Sequence, residues 1–294
     1  MNKKIYALGF FDGVHLGHQA LLQECVQLAE ANNATPAAIT FQSHPLSLFS
    51  TKIPALINSN TDRDTLLCRY GMDYVHRLEV TKIVMSTNWQ DFLENMIQNG
   101  AIGFVCGDDF RFGNKGEGDA QKLSSFCRER DLPCVIVPEQ RLDGIRISST
   151  HIRTLIENGN VETAEKYLGH PHILSGEVVS GRRIGRTIGV PTANIMLPEG
   201  VVIPKWGVYA CLCQVDGEKY MAVTNIGSRP TVEGQNVTVE PWILDFEGDL
   251  YGKKITLEFH KFLRPEQKFD SLEVLRQEIQ ANALQTRQLF LGRY

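Results

Sequence analysis

Lys4-Ile5-Tyr6-Ala7-Leu8-Gly9-Phe10-Phe11-Asp12-Gly13-Val14-His15-Leu16-Gly17-His18 decides the reading of the amino-terminal half. Its first part is short, apolar and β-rich, and predicts a buried strand over residues 4–10. Its second part leads through glycines and polar groups into a helix over residues 17–32. Leu21, Leu22, Cys25, Val26, Leu28 and Ala29 give that helix a broad apolar face. A strand, a glycine-rich turn and a helix start bring free backbone N–H groups and a positive dipole end to one point, a ready-made phosphate site. Gly9, Gly13 and Gly17 permit tight turns and close approach of a ligand. His15 and His18 flank the helix start, where imidazoles can donate to phosphate oxygens as charge develops during transfer. One histidine there would read as a cap or a packed ring; two around a glycine point to function.

The pattern continues outward. Residues 37–41, 74–80, 102–107 and 133–137 read as further strands, and 88–98 and 121–130 as helices. Such alternation predicts a parallel sheet covered on both faces, a Rossmann-like α/β domain whose ligands gather at the carboxyl ends of the strands. Residues 149–168 turn helical, with a break at Glu157-Asn158-Gly159-Asn160. Beyond His170-Pro171-His172, strand-like runs follow one another directly, over 176–180, 208–215, 219–225, 237–246 and 254–259, and Asp216-Gly217 is a strong hairpin turn. This predicts an antiparallel β-barrel or sandwich. A final helix over 271–289 carries Leu272, Leu275, Ile279 and Leu284 on one side. The expected domains are residues 1–172 and 173–294.

At 294 residues the chain has material for two such cores. A net charge of −4 gives no electrostatic case for nucleic acid. No run approaches the roughly 20 apolar residues that span a bilayer, and the apolar start meets Asp12 and His15 too soon for a signal peptide. Seven cysteines without a CxxC pair argue against a disulfide framework or a zinc ribbon. Cys211 and Cys213 share one face of a strand and read as reduced core thiols. These features predict a cytoplasmic protein acting on small molecules, with no nucleic-acid or membrane partner and with self-association left open.

Two further segments carry chemistry. Arg146-Ile147-Ser148-Ser149-Thr150-His151-Ile152-Arg153 sets three hydroxyls at a helix start and Arg153 one turn inside. Ser148, Ser149 and Thr150 exceed what capping needs, and together with the guanidinium they suit a triphosphate. Ser180-Gly181-Arg182-Arg183-Ile184-Gly185-Arg186-Thr187-Ile188-Gly189 is basic and glycine-rich, either a solvated hairpin or a flap over phosphates. In Pro191-Thr192-Ala193-Asn194, which follows, Thr192 and Asn194 offer hard oxygen ligands suited to Mg²⁺ beside ATP. Taken alone, that tetrapeptide reads as an ordinary turn.

The FDGVHLGH run resembles the HxGH nucleotidyltransferase motif, and RISSTHIR resembles its SSTxxR partner. In this order and separation they are similar to the adenylyltransferase half of bacterial bifunctional riboflavin kinase/FAD synthetases. Gly107-Asp108-Asp109-Phe110-Arg111-Phe112-Gly113 resembles that family too. So do GRRIGRTIGVPTANI, Gly207-Val208-Tyr209-Ala210, Asn225-Ile226-Gly227-Ser228-Arg229-Pro230-Thr231, Val239-Glu240 and Leu263-Arg264-Pro265-Glu266, all from its kinase half. Four positions depart from the pattern: Ser43 replaces a proline, Arg63 stands where a lysine is expected, and Pro241-Trp242 replaces Thr-His. The resemblance implies ATP-dependent phosphorylation of riboflavin to FMN, then adenylylation of FMN to FAD with release of pyrophosphate, both aided by Mg²⁺. It implies His15 and His18 as catalytic in the first site, with Gly9, Phe10, Gly17, Ser148, Ser149, Thr150 and Arg153 holding ATP. In the second it implies Gly181, Gly185 and Arg186 at the phosphates, Thr192 and Asn194 on Mg²⁺, and Glu240 as general base. The alternatives are a monofunctional relative, a flavin-binding regulator without turnover, and an adenylyltransferase for another phosphorylated substrate.

Overall fold

The computed structural model describes residues 3–180, 189–231 and 234–291. By its contacts the chain divides into two compact units: Met1–Leu56 with Asn60–Ser149, and Ile57–Ser59 with Thr150–Tyr294.

The first unit is built on five parallel strands: β1 (Lys4–Leu8), β2 (Thr35–Phe41), β3 (Tyr74–Leu78), β4 (Ala101–Gly107) and β7 (Cys134–Val137), in the order β3-β2-β1-β4-β7. Central β1 is buried from Ile5 to Leu8, as expected of a parallel strand covered on both faces. The strand order reverses on either side of β1, which makes its carboxyl end the topological switch point. Helix α1 (Leu16–Ala31) buries Leu21, Leu22, Cys25 and Ala29, four members of its predicted face. Helix α2 (Asn60–Arg69) and the short α3 (Lys82–Ser86) lie in a stretch from which the sequence pattern yielded only β3. The reason is visible in α2: the buried residues are Asp62, Arg63, Leu66 and Leu67, so no apolar stripe betrays the helix. Helix α4 (Trp89–Gln98) is capped by Asn88 and α5 (Ala120–Arg128) by Asp119, whose side chains accept from Gln90 and Lys122 backbone N–H groups at 2.8 Å. Two small hairpins complete the unit, β5 (Arg111–Phe112) with β6 (Gly118–Asp119) and β8 (Arg141–Leu142) with β9 (Ile145–Arg146).

The second unit begins with α6 (Ser149–Glu157) and α7 (Val161–Leu168), separated by the predicted break; Ser149 itself groups with the first unit. Six strands follow: β10 (His172–Val179), β11 (Asn194–Met196), β12 (Gly207–Val215), β13 (Glu218–Thr231), β14 (Gly234–Ile243) and β15 (Lys254–Arg264). They close as β10-β11-β14-β13-β12-β15, with β15 returning to β10, so of the two all-β alternatives the chain adopts the barrel. Closure leaves no unpaired edge for aggregation. Asp216 and Gly217 both take positive φ, 50° and 91°, as a two-residue hairpin turn requires. Cys211 and Cys213 lie in the barrel core, where burial pushes the Cys213 thiol up to about 12.

The last helix, α8 (Leu272–Phe290), forms where expected but presents another face. Asn282, Ala283, Thr286 and Phe290 are buried, while Leu272 and Leu284 are about 60% exposed, at 59% and 62%. Polar anchoring and small side chains choose this face. Arg264 Nε donates to Asn282 Oδ1 at 3.1 Å, Ala283 packs with Val208 and Val223, and Phe290 packs on Ala210 and Leu212.

A charged cluster braces the barrel wall. Glu258 on β15 is almost fully buried and accepts from Lys219 Nζ at 2.8 and 2.9 Å, with His260 Nε2 at 3.8 Å. Burial works against its charge, but His260 and Lys219 outweigh it and hold the carboxyl down to about 2. A depressed carboxylate contributes stability that is fully present above its unfolded pKa and is lost as pH falls through the folded value. Lys219→Met should therefore destabilise the barrel by about 1–2 kcal/mol at pH 7, a modest figure because the lysine is partly exposed. That deficit should shrink as pH falls from about 4.5 towards about 2. Urea denaturation of both proteins across this range checks it, and a deficit that does not change with pH contradicts it.

Candidate active sites

The first site forms where β1 ends. The strand stops at Leu8, leaving Gly9 and Phe10 in the loop that leads to α1. Phe11, Gly13 and Val14 take positive φ of 56°, 85° and 40°, and Phe11 and Val14 are wholly buried. Two non-glycine residues in the left-handed region store strain that the surroundings must hold. The hold is polar. The carbonyl oxygen of Phe10 accepts from Thr40 Oγ1 at 2.8 Å and from Arg63 Nη1 at 3.3 Å.

His15 is the N-cap of α1. Its Nδ1 accepts the backbone N–H of His18 at 3.3 Å, so the neutral ring carries its proton on Nε2. The two rings stack, centroids 3.6 Å apart and 10° from parallel. A Cβ on Gly17 would lie 3.3 Å from the His15 ring, which is the close approach that favours glycine there. The side chain of His18 is packed among protein groups, and its Nδ1 has no hydrogen-bond partner among the described residues. Burial, then His15 and Arg63, hold its imidazole well below the ordinary histidine range, so the ring is neutral at pH 7. The pair can therefore offer N–H groups at a helix N-terminus without adding fixed charge.

The Ser-Ser-Thr segment reaches the same loop: Ser149 Oγ donates to the carbonyl of Asp12 at 2.9 Å. Ser148 precedes it; Thr150 and Arg153 continue on α6 and group with the second unit. Beside Gly9 opens a cavity whose walls include Ile39, Leu78, Met85, Phe92, Phe110 and Phe112. Phe110 and Phe112 stack at 5.6 Å. The sequence reading did not identify this apolar pocket, although the Gly107–Gly113 run supplies one wall; Met85 comes from α3, which it did not detect.

The second site lies at one end of the barrel. Thr192, Ala193 and Asn194 line a cavity with Val178, Pro241, Phe246 and Asp249. Asn194 opens β11 and pairs with Val179 of β10. Ile195 pairs with Val239 on antiparallel β14, and Ala193 N–H donates to Pro241 O at 2.9 Å. These two links bracket Asn194 and Glu240, which therefore stand opposite each other on neighbouring strands. On its other side Glu240 pairs with Asn225 of β13. Asn194, Glu240 and Asn225 form a polar row across three strands, and Glu240 is half-buried rather than an exposed strand carboxylate. The sequence quoted Asn225 within a motif but gave it no role. Farther along β13, Gly227 lies against the carboxylate of Glu266, which a Cβ there would displace. Gly181, Gly185 and Arg186 lie outside the described residues.

Two family models match successive parts of the chain. Residues 1–151 match the FAD synthetase family model, and residues 168–290 the riboflavin kinase model. A Listeria monocytogenes protein named bifunctional riboflavin kinase/FMN adenylyltransferase is 35% identical over 98% of this chain and 92% of its own. An Escherichia coli K12 protein of the same name is 38% identical over 97% of this chain and 92% of its own. A crystal structure from Streptococcus pneumoniae, described as a macrolide-efflux protein, is 32% identical with a TM-score of 0.88, covering 97% of this chain and 94% of that one. Among the described residues of the present chain no helix is long and apolar enough to cross a membrane. The chain belongs to the bifunctional riboflavin kinase/FMN adenylyltransferase family, enzymes that phosphorylate riboflavin to FMN with ATP and then adenylylate FMN to FAD.

Proposed function

We propose that the loop–helix site performs adenylyl transfer and the barrel site phosphoryl transfer, with a functional boundary near residue 172. The observation that carries this is the stacked His15–His18 pair at the start of α1, above a loop held by buried polar contacts. In the first site a phosphate oxygen of FMN forms a bond to the α-phosphorus of ATP. The bond from that phosphorus to the bridging oxygen breaks, and pyrophosphate leaves. His15 and His18 donate to phosphate oxygens as their negative charge grows, aided by the amides of the α1 N-terminus. Gly9, Phe10 and Gly17 let ATP approach the backbone. Ser148, Ser149, Thr150 and Arg153 hold its phosphates. The aromatic-walled cavity beside Gly9 suits the flavin ring of FMN.

In the barrel site Glu240 accepts the proton of the riboflavin 5′-hydroxyl as that oxygen bonds to the γ-phosphorus of another ATP; the bond from that phosphorus to the β–γ bridging oxygen breaks, and ADP leaves. Thr192 and Asn194 offer oxygen donors at one edge of a cavity, a set that fits Mg²⁺. When bound, Mg²⁺ supplies charge neutralisation at the phosphates. Gly181, Gly185 and Arg186 cover the phosphates of ATP in this reading. We place the enzyme in the cytoplasm, where its cysteines, all free among the described residues, stay reduced.

Two substitutions separate the sites. His18→Ala should lower FMN adenylylation by about 10²–10³-fold and leave riboflavin phosphorylation at the parental rate. FAD formation by this variant at full rate removes the histidine from the mechanism. Glu240→Gln keeps the shape and loses the proton acceptor, so single-turnover FMN formation should fall roughly 10²–10⁴-fold with conversion of supplied FMN to FAD unchanged. Equal single-turnover rates for parent and variant would leave the kinase half positioning substrates without this base.

A further inference from the structure

Arg63 is an unusual residue to find with no solvent exposure at all. A buried guanidinium is retained only where its charge and hydrogen bonds are used. Nη1 donates to Phe10 O at 3.3 Å. Nη2 donates to Phe41 O at 2.6 Å and to Asn60 Oδ1 at 2.7 Å. The guanidinium also lies over the Phe10 ring, 4.9 Å from its centroid. One side chain from α2 thus ties together the end of β2, the start of α2 and the residue just before the strained turn.

We propose that Arg63 is a positioning residue for adenylyl transfer. It fixes the Phe10 carbonyl, and so the loop and helix start that carry His15 and His18, and it places a permanent positive charge beneath them. The proposal rests on the catalytic reading of those histidines. Their surroundings fit it. His18 faces the stacked His15 ring, the edge of Phe11 at 5.3 Å, and the charge of Arg63 from α2. Asp12, on the same loop and 2% exposed, is the larger counter-charge acting on Arg63, with Asp64 of α2 a second one and Arg77 of β3 a like charge. Burial and then His15 do most to hold His18 neutral; Arg63, which keeps its proton at any working pH, adds a smaller repulsion that does not vary with conditions. Lysine, the residue that the family resemblance leads one to expect here, would keep the charge but offer a point donor instead of a fork.

The test uses the full chain with Arg63→Met, Arg63→Lys and, as reference, His18→Ala. Riboflavin phosphorylation serves as an internal measure of protein amount, and the amide NMR spectrum of the first unit as the measure of its folding. Arg63→Met should lower kcat for FMN adenylylation about 10²-fold with a smaller change in KM for FMN, because a misaligned donor costs rate more than binding. In that variant the His18 imidazole, followed by NMR titration, should gain its proton at higher pH than in the parent, and the acid limb of the adenylylation profile should move the same way. Arg63→Lys should recover most of the rate and leave the His18 titration near its parental position. Parental kcat in Arg63→Met beside an inactive His18→Ala overturns the positioning role. So does a folded Arg63→Lys as inactive as His18→Ala, which also decides the matter should the methionine variant not fold. Full adenylylation by His18→Ala instead sinks the histidine assignment on which the proposal stands.

Discussion

The first site hangs from one carbonyl. Phe10 O takes hydrogen bonds from Thr40 and Arg63, and the backbone beyond it runs through two left-handed non-glycine residues into α1. A loop of that shape is costly by itself. Held from below, it delivers His15 as an N-cap, stacks His18 against it, and leaves the helix N-terminus free of acidic side chains that would compete with phosphate. The sheet sets where this happens: β1 is flanked by β2 on one side and β4 on the other, so the chain diverges at its carboxyl end and opens a crevice there.

The barrel meets a different constraint. An antiparallel sheet of six strands closes on itself, and successive residues of each strand then face the barrel interior and its outer side in turn. Val239 goes inward with Ile226 and Ile243, which sends Glu240 outward into line with Asn194 and Asn225. The departure Pro241-Trp242 is accommodated within this register. Pro241 accepts from Ala193 N–H through its carbonyl, and Trp242 packs with Val223 and Leu263 near α8. A proline has no N–H to lose from the ladder, yet its carbonyl is the partner that aligns β11 with β14.

Much of this was legible in the sequence because period and punctuation were unambiguous. The strand–turn–helix at residues 4–32, the change to successive strands beyond His172, and the Asp216-Gly217 turn all carry local signals that tertiary packing reinforces. The misses have physical causes. Helix α2 buries Asp62 and Arg63, so a hydrophobic pattern could not find it, and the clamp it supplies was invisible with it. Helix α8 leaves Leu272 and Leu284 in solvent because hydrogen bonding at Asn282 and packing of Ala283 choose its face. The apolar cavity beside Gly9 draws its walls from five or more separate segments, and no linear motif encodes such a surface. The row Asn194–Glu240–Asn225 depends on strand register, which spacing alone did not give.

The central claim is that one chain carries two successive phosphorus chemistries at two separate sites. Its most direct test is a chromatographic time course of purified protein with riboflavin, ATP and Mg²⁺, with pyrophosphate measured in parallel. FMN should appear first and then pass into FAD, with pyrophosphate rising in step with FAD and not with FMN. Accumulation of FMN with no FAD, or of FAD from supplied FMN but no phosphorylation of riboflavin, would contradict the account.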